Sequence, residues 1–234
     1  MVMINKYFDK IYIINLFTRE DRLESMKIRL AEHNIANYKF IDAYVGEFLQ
    51  LIPTRHNFAY NENGMGCLMS HLRCIKDALY NKYDRILILE DDVLLHKDFN
   101  NQFEIITNQL GDTDWDLLYL GHQTIDSPLS HETFYEEGKH IFEARNSWGG
   151  HAYGLSRVLM NEYYNYFTKR SESGWMEVDK YLSQIIQENK NFNSIKIYPQ
   201  LFIQDTGWSD ITEFDRVIFK DLLNTGYSKF EDYA

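Results

Sequence analysis

The chain has 234 residues, of which 44% are hydrophobic and 15% aromatic, so it can build a sizeable core. Only 3 prolines and 12 glycines are present, which argues against a long disordered linker, and we predict a single domain over residues 1–234. The net charge of −11 disfavours non-specific nucleic-acid binding, because such binding requires cationic side chains to neutralise phosphates. A few local cations can still hold an anionic ligand.

The N-terminus and the cysteines indicate the cellular compartment in which the protein is expected. No signal peptide is visible, and no stretch approaches the roughly 20 apolar residues of a transmembrane helix. Cys67 and Cys74 lie two helical turns apart on a predicted helix, which is too far for a disulfide. Reduced cysteines and a cytoplasmic location are therefore predicted. Nothing resembles a Cys-x-x-Cys pair, so a structural zinc site is not expected.

Apolar runs and helical periodicities alternate along the chain. Short β-branched or apolar runs predict strands, and amphipathic stretches with polar N-caps predict helices. In chain order, the predicted elements are strand Lys10–Leu16, helix Glu20–His33, strand Tyr38–Ala43, helix Gly64–Tyr80, strand Asp84–Glu90, helix Asp98–Leu110, strand Asp116–Leu120, strand His151–Leu155, a helix from Ser156 to about Thr168, helix Val178–Asn189, strand Ser194–Tyr198 and a short helix near Arg216–Leu223. Thr18, Asp98 and Ser156 are the predicted N-caps, while Tyr44–Asn63 and His122–Asn146 are predicted to be irregular. This alternation predicts an α/β fold with a mainly parallel sheet flanked by helices.

Three consecutive carboxylates, Glu90, Asp91 and Asp92, follow the unbroken apolar run Ile86–Leu89. A run without alternation is typical of a strand buried on both faces, as in parallel sheets. Adjacent acids at its end repel one another unless a cation or protons offset their charge. Ligands of open α/β sheets bind outside the carboxyl ends of the strands, and hard divalent cations prefer oxygen ligands. The pattern indicates a metal–nucleotide site, although a solvated acidic turn fits this spacing about equally well.

A second candidate segment, Asn15–Arg22, joins the end of the first predicted strand to the start of the first long helix. Free N–H groups and the helix dipole favour anions at such a place. Arg19 and Arg22 are three residues apart and would lie near one another on the first turn. We interpret the pair as a binding site for a pyrophosphate. The alternative is a surface ion-pair cluster with Glu20 and Asp21, and such a cluster stabilises the fold little.

Three further segments carry polar groups. His71 lies on the small-residue face of its predicted helix and could contact a ligand, although on this helix alone an interior histidine is favoured. Glu177 and Asp179 open a helix, where acids either complement the dipole or provide a general base on the acceptor side of a cleft. The polar segment Gln204–Ile211 follows the last predicted strand and either closes over a ligand or forms an ordered loop.

Taken in order, these segments resemble glycosyltransferase family 25, which includes lipooligosaccharide galactosyltransferases and collagen hydroxylysine galactosyltransferases. The matching pieces are Ile13–Leu16 with Arg19, Asp21 and Arg22, then Gly64–His71, Ile88–Val93, Trp115–Gly121, Gly150–Ser156, Val178–Asp179 with Leu182, and Ser209–Ile211. Each piece is weak alone, but their joint order over about residues 10–211 makes the resemblance fairly specific. The resemblance implies a GT-A fold, a UDP-sugar donor and a divalent metal, Mn²⁺ or Mg²⁺.

The resemblance also implies roles for individual residues. Asp91, Asp92 and Asp210 are the implied metal ligands, and Asp179 is the implied catalytic base with Glu177 as its competitor. The implied donor-binding residues are Asn15, Leu16, Arg19, Arg22, Ser70, His71 and Glu90. Position 90 departs from a strict Asp-x-Asp motif, so the sequence leaves open which two of the three adjacent acids bind the metal.

The sequence thus predicts a metal-dependent inverting hexosyltransferase that moves galactose or glucose from a UDP-sugar to a hydroxyl of a glycan or hydroxylysine acceptor. Two alternatives remain. A sugar nucleotidyltransferase would need a glycine-rich phosphate loop after the first strand, and the turn Asn15–Arg19 has no glycine. A catalytically silent sugar-nucleotide-binding module is disfavoured by the retained acids. No nucleic-acid partner is predicted, and the oligomeric state is left open.

Overall fold

The computed structural model describes residues 2–48, 61–124, 137–169, 176–205, 209–210 and 230–234. Its strands are β1 (Lys10–Asn15), β2 (Tyr38–Asp42), β3 (Arg85–Glu90), β4 (Val93–Leu95), β5 (Leu117–Thr124), β6 (Ile141–Glu143), β7 (Ser147–Ser156), β8 (Ser194–Ile197) and β9 (Phe202–Gln204). Its α-helices are α1 (Ile4–Tyr7), α2 (Glu20–Glu32), α3 (Asn61–Tyr80), α4 (Phe99–Leu110), α5 (Arg157–Lys169) and α6 (Val178–Lys180). A π-helical segment spans Tyr181–Ile186, and 3₁₀ turns span Gly46–Phe48 and Phe230–Asp232.

The strands form two sheets. The large sheet has the order β2–β1–β3–β7–β5–β8–β6, and β4 pairs with β9 in a small antiparallel sheet. Strands β2, β1, β3, β5 and β8 share one direction, whereas β7 and β6 run against their neighbours. The predicted α/β fold with a mainly parallel sheet flanked by helices is confirmed. That the chain forms a single domain stays a prediction.

The central strands β1 and β3 are buried on both faces, as their uninterrupted apolar runs predict. Successive side chains of a strand point to opposite faces of the sheet. Tyr12 and Ile88 therefore pack in the core against α3 and α5, whereas Ile13 and Leu89 pack in the core against α2 and α4. All four are completely buried, and burying an aliphatic side chain stabilises the fold by about 1.5–3 kcal/mol.

The pairing of β1 with β3 positions the candidate site. The two strands are parallel neighbours, with Ile14 opposite Glu90. Their carboxyl ends therefore open at the same edge of the sheet, where ligands of open α/β sheets bind. Helix α2 begins shortly after β1, and the acidic turn lies between β3 and β4. The N-terminus of α2 and the acids consequently share this edge.

The predicted N-caps have different outcomes. Thr18 is not an N-cap, because it lies in a turn in which the Arg19 N–H donates to the Leu16 carbonyl at 2.8 Å. Arg19 is instead the N-cap of α2, without a side-chain cap hydrogen bond. Asp98 does precede α4, but its carboxylate accepts from two side-chain amides rather than from a helix N–H. Ser156 behaves as predicted, because its Oγ accepts from a backbone N–H in the first turn of α5 at 3.2 Å.

Several boundaries also differ from the predictions. Helix α3 begins at Asn61, within the loop predicted for Tyr44–Asn63, and β6 lies within the stretch His122–Asn146 that was predicted to be irregular. The predicted helix Val178–Asn189 is α-helical for three residues and then π-helical. The helix predicted near Arg216–Leu223 lies outside the described residues. Strands β4, β6 and β9 escape prediction because three residues are too few to show a periodicity.

Two expectations about the chain's environment can be compared with the structure. Neither Cys67 nor Cys74 forms a disulfide within the described part of the chain, as their separation along α3 predicts. Within the part of the chain that the structure describes, no helix is both long and apolar enough to cross a membrane. The cytoplasmic location stays a prediction.

Candidate active site

A cleft opens at the edge of the sheet where β1 and β3 end. Its cavity volume is about 120 Å³. The residues that line it are Ile14, Leu16, Arg22, Ala43, Tyr44, Val45, Gly46, Asn63, Cys67, Ser70, His71, Glu90, Asp91, Asp92 and Asp210. Most of the residues predicted to bind donor or metal therefore meet in one cleft, whereas Asp179 and Glu177 lie outside this lining.

Three carboxylates converge on one guanidinium in this cleft. Nη1 of Arg22 lies 3.0 Å from an oxygen of Asp91, 3.3 Å from Asp210 and 3.7 Å from Asp92. Nη1 of Arg19 lies 2.5 Å from the same Asp210 oxygen. We call these five residues the acid–arginine cluster. The arginines predicted to hold the diphosphate are thus in contact with the acids predicted to hold the metal.

Local structure explains why these side chains meet. The two arginines occupy the N-cap and the first turn of α2, so both reach the same edge of the sheet. The two adjacent aspartates occupy the turn between β3 and β4. Asp210 arrives from beyond β9, and its backbone carbonyl accepts a hydrogen bond from Asn63 Nδ2 at 3.3 Å. Three separate parts of the chain therefore build the cluster.

Asp91 is held from two sides. Asn15 Nδ2 donates to one of its carboxylate oxygens at 2.6 Å, and Arg22 donates to the other at 3.0 Å. Burial raises the pKa of Asp91; Arg22 and Asn15 act against this rise, and the charge of Glu90 adds to it. A further cation near this carboxyl would favour its charged form. The predicted contact of Asn15 with the site is therefore made through Asp91.

Glu90 makes a different set of contacts from the two acids that follow it. Its Oε1 lies 3.6 Å from Nε2 of His71, and its Oε2 accepts a hydrogen bond from Gln204 Nε2 at 3.2 Å. Gln204 in turn accepts from Gln123 Nε2 at 3.1 Å. The structure thus distinguishes position 90 from the two aspartates, which join the acid–arginine cluster.

Ser70 and His71 are both completely buried on the cleft side of α3. The Ser70 hydroxyl donates to the Gly66 carbonyl at 2.6 Å and accepts from the Tyr44 N–H at 2.9 Å, so it fastens the turn after β2 to the helix. His71 Nδ1 lies 2.8 Å from the hydroxyl of Tyr153, and the two rings are stacked. Ser70 therefore shapes the cleft wall, while the second nitrogen of His71 points towards Glu90.

The predicted base lies on α6, near Glu90 and outside the contacts of the acid–arginine cluster. Helix α6 packs on β7. A Cβ added at Gly150 of β7 would lie 3.3 Å from the Val178 side chain and 3.5 Å from Oε1 of Glu90. The absence of a side chain at Gly150 thus lets α6 approach Glu90 closely. Asp179, the neighbour of Val178, is near enough for the Glu90 charge to affect its ionisation.

The two acids of this segment have different surroundings. Burial raises the pKa of Asp179; the Lys180 N–H, which donates to its carboxylate at 2.8 Å, lowers it, and the charges of Glu177 and Glu90 raise it again. The Glu177 carboxylate is buried 3.0 Å from Nζ of Lys180. Asp179 is therefore the better suited of the two to accept a proton, since a raised pKa strengthens a general base.

The acid–arginine cluster offers the type of ligand that a hard divalent cation prefers. Its carboxylates offer oxygen ligands from two segments of the chain and already surround one positively charged nitrogen. Mn²⁺ and Mg²⁺ take carboxylate oxygens and commonly bridge to phosphates as well. The chemistry of this donor set therefore agrees with the metal that the resemblance implies.

Some residues of the site gave no signal in the sequence. Gln123 and Tyr153 contact it through Gln204 and His71, and neither was singled out individually. Gln204 lay at the start of a polar segment that we did single out, but its position depends on the antiparallel pairing of β9 with β4, which sets Val93 opposite Gln204. A pairing between two short strands so far apart in the chain has no local signature.

Three curated relatives illustrate the similarity to known proteins. Procollagen galactosyltransferase 1-B of Xenopus laevis is 30% identical over 139 residues, which cover 52% of this chain and 23% of that protein. The procollagen lysyl hydroxylase and glycosyltransferase of Acanthamoeba polyphaga mimivirus is 26% identical over 176 residues, covering 66% of this chain and 19% of that protein. The inactive glycosyltransferase 25 family member 3 of Homo sapiens is 26% identical over 135 residues, covering 51% and 22%. The matched stretches thus span less than a quarter of each relative's length.

Among solved structures, a glycosyltransferase involved in the glycosylation of the major capsid of PBCV-1 aligns with a TM-score of 0.50. The alignment covers 86% of this chain and 93% of that chain at 11% sequence identity. A similarity at this level of identity concerns the fold alone, and it agrees with the predicted GT-A-type sheet.

The sequence model of "Glycosyltransferase family 25 (LPS biosynthesis protein)" matches residues 8–182. This stretch contains the acidic triplet, both arginines of the cluster and Asp179. The chain therefore belongs to glycosyltransferase family 25.

Proposed function

We propose that this chain is a metal-dependent inverting hexosyltransferase, which moves galactose or glucose from a UDP-sugar to a hydroxyl of a glycan or hydroxylysine acceptor. One observation carries the proposal: Asp91, Asp92 and Asp210 converge on Arg22 in a cleft at the carboxyl ends of β1 and β3. The three aspartates would hold Mn²⁺ or Mg²⁺. When bound, that ion would neutralise the diphosphate and stabilise the departing UDP.

The composition of the cleft supports a nucleoside diphosphate as the ligand. Such a molecule has an anionic diphosphate and a flat base whose faces can pack against apolar side chains. The N-terminus of α2 and its arginines provide the positive charge. The turn after β2 contributes Tyr44 and Val45, and Leu16 and Ala43 add apolar surface. A donor with its diphosphate at the acid–arginine cluster and its base towards this turn matches both ends of the cleft.

The position of Asp179 supports an inverting transfer. In such a reaction the acceptor hydroxyl attacks from the face opposite the leaving UDP, so its proton must go to a base that stands apart from the metal ligands. Asp179 lies near Glu90 and has a raised pKa. In the proposed reaction its carboxylate takes the acceptor proton, and Arg19 and Arg22 bind the diphosphate. Glu177, which is paired with Lys180, would keep a supporting role.

The relatives favour galactose as the first sugar to test and also motivate a second candidate function. Two of the three are named as a galactosyltransferase or a glycosyltransferase, but the human relative is named inactive. A silent sugar-nucleotide-binding module is therefore the alternative that experiment must exclude. A sugar nucleotidyltransferase has less support, because the turn Asn15–Arg19 offers no glycine-rich phosphate loop.

The decisive experiment measures UDP release from a panel of UDP-sugars, with Mn²⁺, with Mg²⁺ and with EDTA. We expect metal-dependent release that is largest with UDP-galactose or UDP-glucose and that increases when a hydroxyl acceptor is added. Metal-dependent binding of UDP without release would favour the silent module. Pyrophosphate release from UTP and a hexose 1-phosphate would favour the nucleotidyltransferase, and full activity in EDTA would contradict the role of the metal.

The stereochemistry needs a separate measurement. Proton NMR of the fresh product reports the anomeric configuration of the transferred sugar. A β-linked product from an α-linked UDP-sugar would agree with inversion and with a base at Asp179. Retention of the α configuration would contradict both.

A further inference from the structure

We propose that Cys67, His71 and Glu90 form a second cation site in the cleft, which takes Zn²⁺ rather than Mn²⁺ or Mg²⁺. Each of the three offers one ligand atom, and these atoms all lie within 4.8 Å of one another. The site is distinct in composition from the acid–arginine cluster, since it combines a thiol, an imidazole and one carboxylate. The inference goes beyond the proposed sugar transfer, and zinc binding can be measured without any sugar nucleotide.

The distances suit a tetrahedral zinc ion. With ordinary zinc–sulfur, zinc–nitrogen and zinc–oxygen bonds, tetrahedral ligand atoms stand roughly 3.3–3.6 Å apart. Nε2 of His71 and Oε1 of Glu90 are already 3.6 Å apart. The Cys67 sulfur lies within 4.8 Å of both other ligand atoms, so it must close by up to about 1.5 Å, which rotation about its χ1 angle can supply.

The chain presents these ligands through regular structure. Cys67 and His71 are four residues apart on α3, so their side chains lie one above the other on the same helical face. Glu90 is the last residue of β3, against which α3 packs. Two ligands from one helical turn and one from a strand end give a rigid arrangement, because neither element must unfold to bring them together.

His71 supplies an independent indication of a ligand. Its side chain is completely buried, and Nε2 has no hydrogen-bond partner among the residues that the structure describes. A buried polar atom without a hydrogen bond is energetically unfavourable, so a ligand at this position would stabilise the arrangement. The other ring nitrogen, Nδ1, lies 2.8 Å from the Tyr153 hydroxyl. A histidine that ligates a metal through one nitrogen usually makes a hydrogen bond through the other, which fixes the ring and its tautomer.

The donor set selects the metal. Thiolate and imidazole ligands suit Zn²⁺, whereas Mg²⁺ and Mn²⁺ prefer oxygen alone. All three side chains line the cleft, so an ion can enter from it and keep a fourth coordination position for water or a small ligand. The missing Cys-x-x-Cys pair argues against a closed structural zinc site, and this open three-ligand site does not need one.

Cobalt substitution provides a test that sees the thiolate directly. The full chain, reduced and freed of metal, is titrated with Co²⁺, and a thiolate-to-cobalt charge-transfer band is sought in the near ultraviolet. We expect the band to saturate at a single equivalent, and Zn²⁺ to abolish it by displacing Co²⁺. Cys67→Ser should remove the band and weaken Zn²⁺ binding by at least about tenfold, while the far-ultraviolet circular dichroism stays unchanged.

Three variants serve as controls. Cys74 lies on the same helix, but it is completely buried in the core, and burial raises the pKa of its thiol, so Cys74→Ser should keep the band. Asp92→Asn, which alters the acid–arginine cluster, should also keep it. Tyr153→Phe removes the partner of His71 Nδ1 and should weaken Zn²⁺ binding by about 10–100-fold with the band retained.

Several results would overturn the inference. These are the absence of a charge-transfer band in the unmodified chain, a band that survives Cys67→Ser, or a band that Cys74→Ser removes. If Cys67→Ser fails to fold, zinc-edge X-ray absorption of the unmodified chain decides, because a sulfur scatterer at about 2.3 Å supports the site and a shell of only nitrogen and oxygen refutes it. A chain that shows the band but releases no UDP would retain this inference and lose the proposed transferase activity.

Discussion

Two acidic regions lie near Glu90, and the protein surrounds them differently. In the acid–arginine cluster, Arg22 contacts all three carboxylates and Asn15 donates a further hydrogen bond to Asp91. On α6, Asp179 accepts one backbone N–H, and the neighbouring charges that raise its pKa are themselves carboxylates. One region gathers acids around positive charge, whereas in the other burial and two neighbouring carboxylates outweigh the charge of Lys180.

This difference separates two uses of a carboxylate. Burial raises the pKa of both Asp91 and Asp179, but Asp91 is held by the guanidinium of Arg22, which favours the charged form that a metal ion binds. Asp179 accepts a backbone N–H and lies near two other carboxylates, so its charged form is less favoured and it holds a proton more tightly, which is the property of a general base. In the proposed reaction the same residue type therefore binds metal in the cleft and accepts a proton at Asp179, which lies outside the cleft lining, and each assignment can be tested separately.

The largest effect is expected from Asp92→Asn. Of the three carboxylates of the acid–arginine cluster, that of Asp92 lies farthest from Arg22, at 3.7 Å. The change should therefore remove a metal ligand while leaving the fold intact. Loss of the metal contribution, worth several kcal/mol, would lower Mn²⁺-dependent UDP release by about 10³-fold or more. Asp112→Asn, which removes the same charge at an exposed position, is the control and should retain activity. Activity of the Asp92 variant near that of the unmodified chain would refute its role.

Asp179→Asn should reduce turnover by about 10²–10⁴-fold, the usual contribution of general-base catalysis, with UDP binding largely kept. Glu177→Gln is the matched comparison and should reduce turnover much less, because Glu177 is paired with Lys180. Steady-state kinetics with calorimetric UDP titration distinguish the two effects. If the Glu177 change is the more damaging, or if Asp179→Asn mainly weakens UDP binding, the assignment of the base is wrong.

The raised pKa of Asp179 gives this assignment a pH signature. A base works when deprotonated, so activity should fall as the pH decreases through a pKa above the ordinary aspartate value of about 4. The sign for stability is opposite to that of a salt-bridged acid. Because the folded-state pKa is raised, ionisation of Asp179 destabilises the fold above that pKa, and the penalty disappears below the unfolded-state value. Asp179→Asn should therefore retain or increase the melting temperature at neutral pH.

Arg22→Ala tests the positive charge of the acid–arginine cluster. Charge-assisted contacts of this kind contribute about 1.5–3 kcal/mol, so the Michaelis constant for the donor should rise roughly 10–100-fold, with little change for the acceptor. Arg19→Ala should have a smaller effect, because Arg19 is shared with the exposed Asp21, and the double variant should exceed either. Lys27→Ala removes an exposed cation from the same helix and should change neither constant. Equal increases in both constants would contradict donor binding.

Much of the fold could be predicted because its signals are local. The strands β1 and β3 are unbroken apolar runs, and both of their faces are buried as such runs require. The predicted boundaries of helix α2 agree with the observed ones within one or two residues. The reversed direction of β7 could not be predicted, because a strand buried on both faces has the same composition in either direction. The π-helical segment Tyr181–Ile186 could not be predicted either, because its residues suit an α-helix equally well.

The candidate site was only partly visible in the sequence. The residue types of the acid–arginine cluster were predicted from motifs, but its geometry depends on Asp210 reaching Arg19 across 191 positions of the chain. The separation of Glu90 from its two neighbours depends on Gln204 and on His71, which approach from a distant strand and from α3. Such contacts are set by the tertiary fold, so no local pattern could order the three adjacent acids.

The smallest expected effect concerns Gly150, which lies where the two acidic regions meet. An alanine Cβ at this position would be 3.3 Å from Val178 and 3.5 Å from Glu90, so α6 must shift by a few tenths of an ångström. Overpacking of this size should lower the free energy of unfolding by about 1 kcal/mol. Because α6 carries Asp179, Gly150→Ala should also lower turnover, by less than about tenfold, with the donor constant unchanged. The control is Gly138→Ala, whose positive φ of 76° makes alanine unfavourable, although no atom of the described residues lies within 4 Å of the added Cβ. It should cost similar stability without any loss of turnover. If the two variants lose stability alike and both keep full turnover, the close approach of α6 to Glu90 does not position the base.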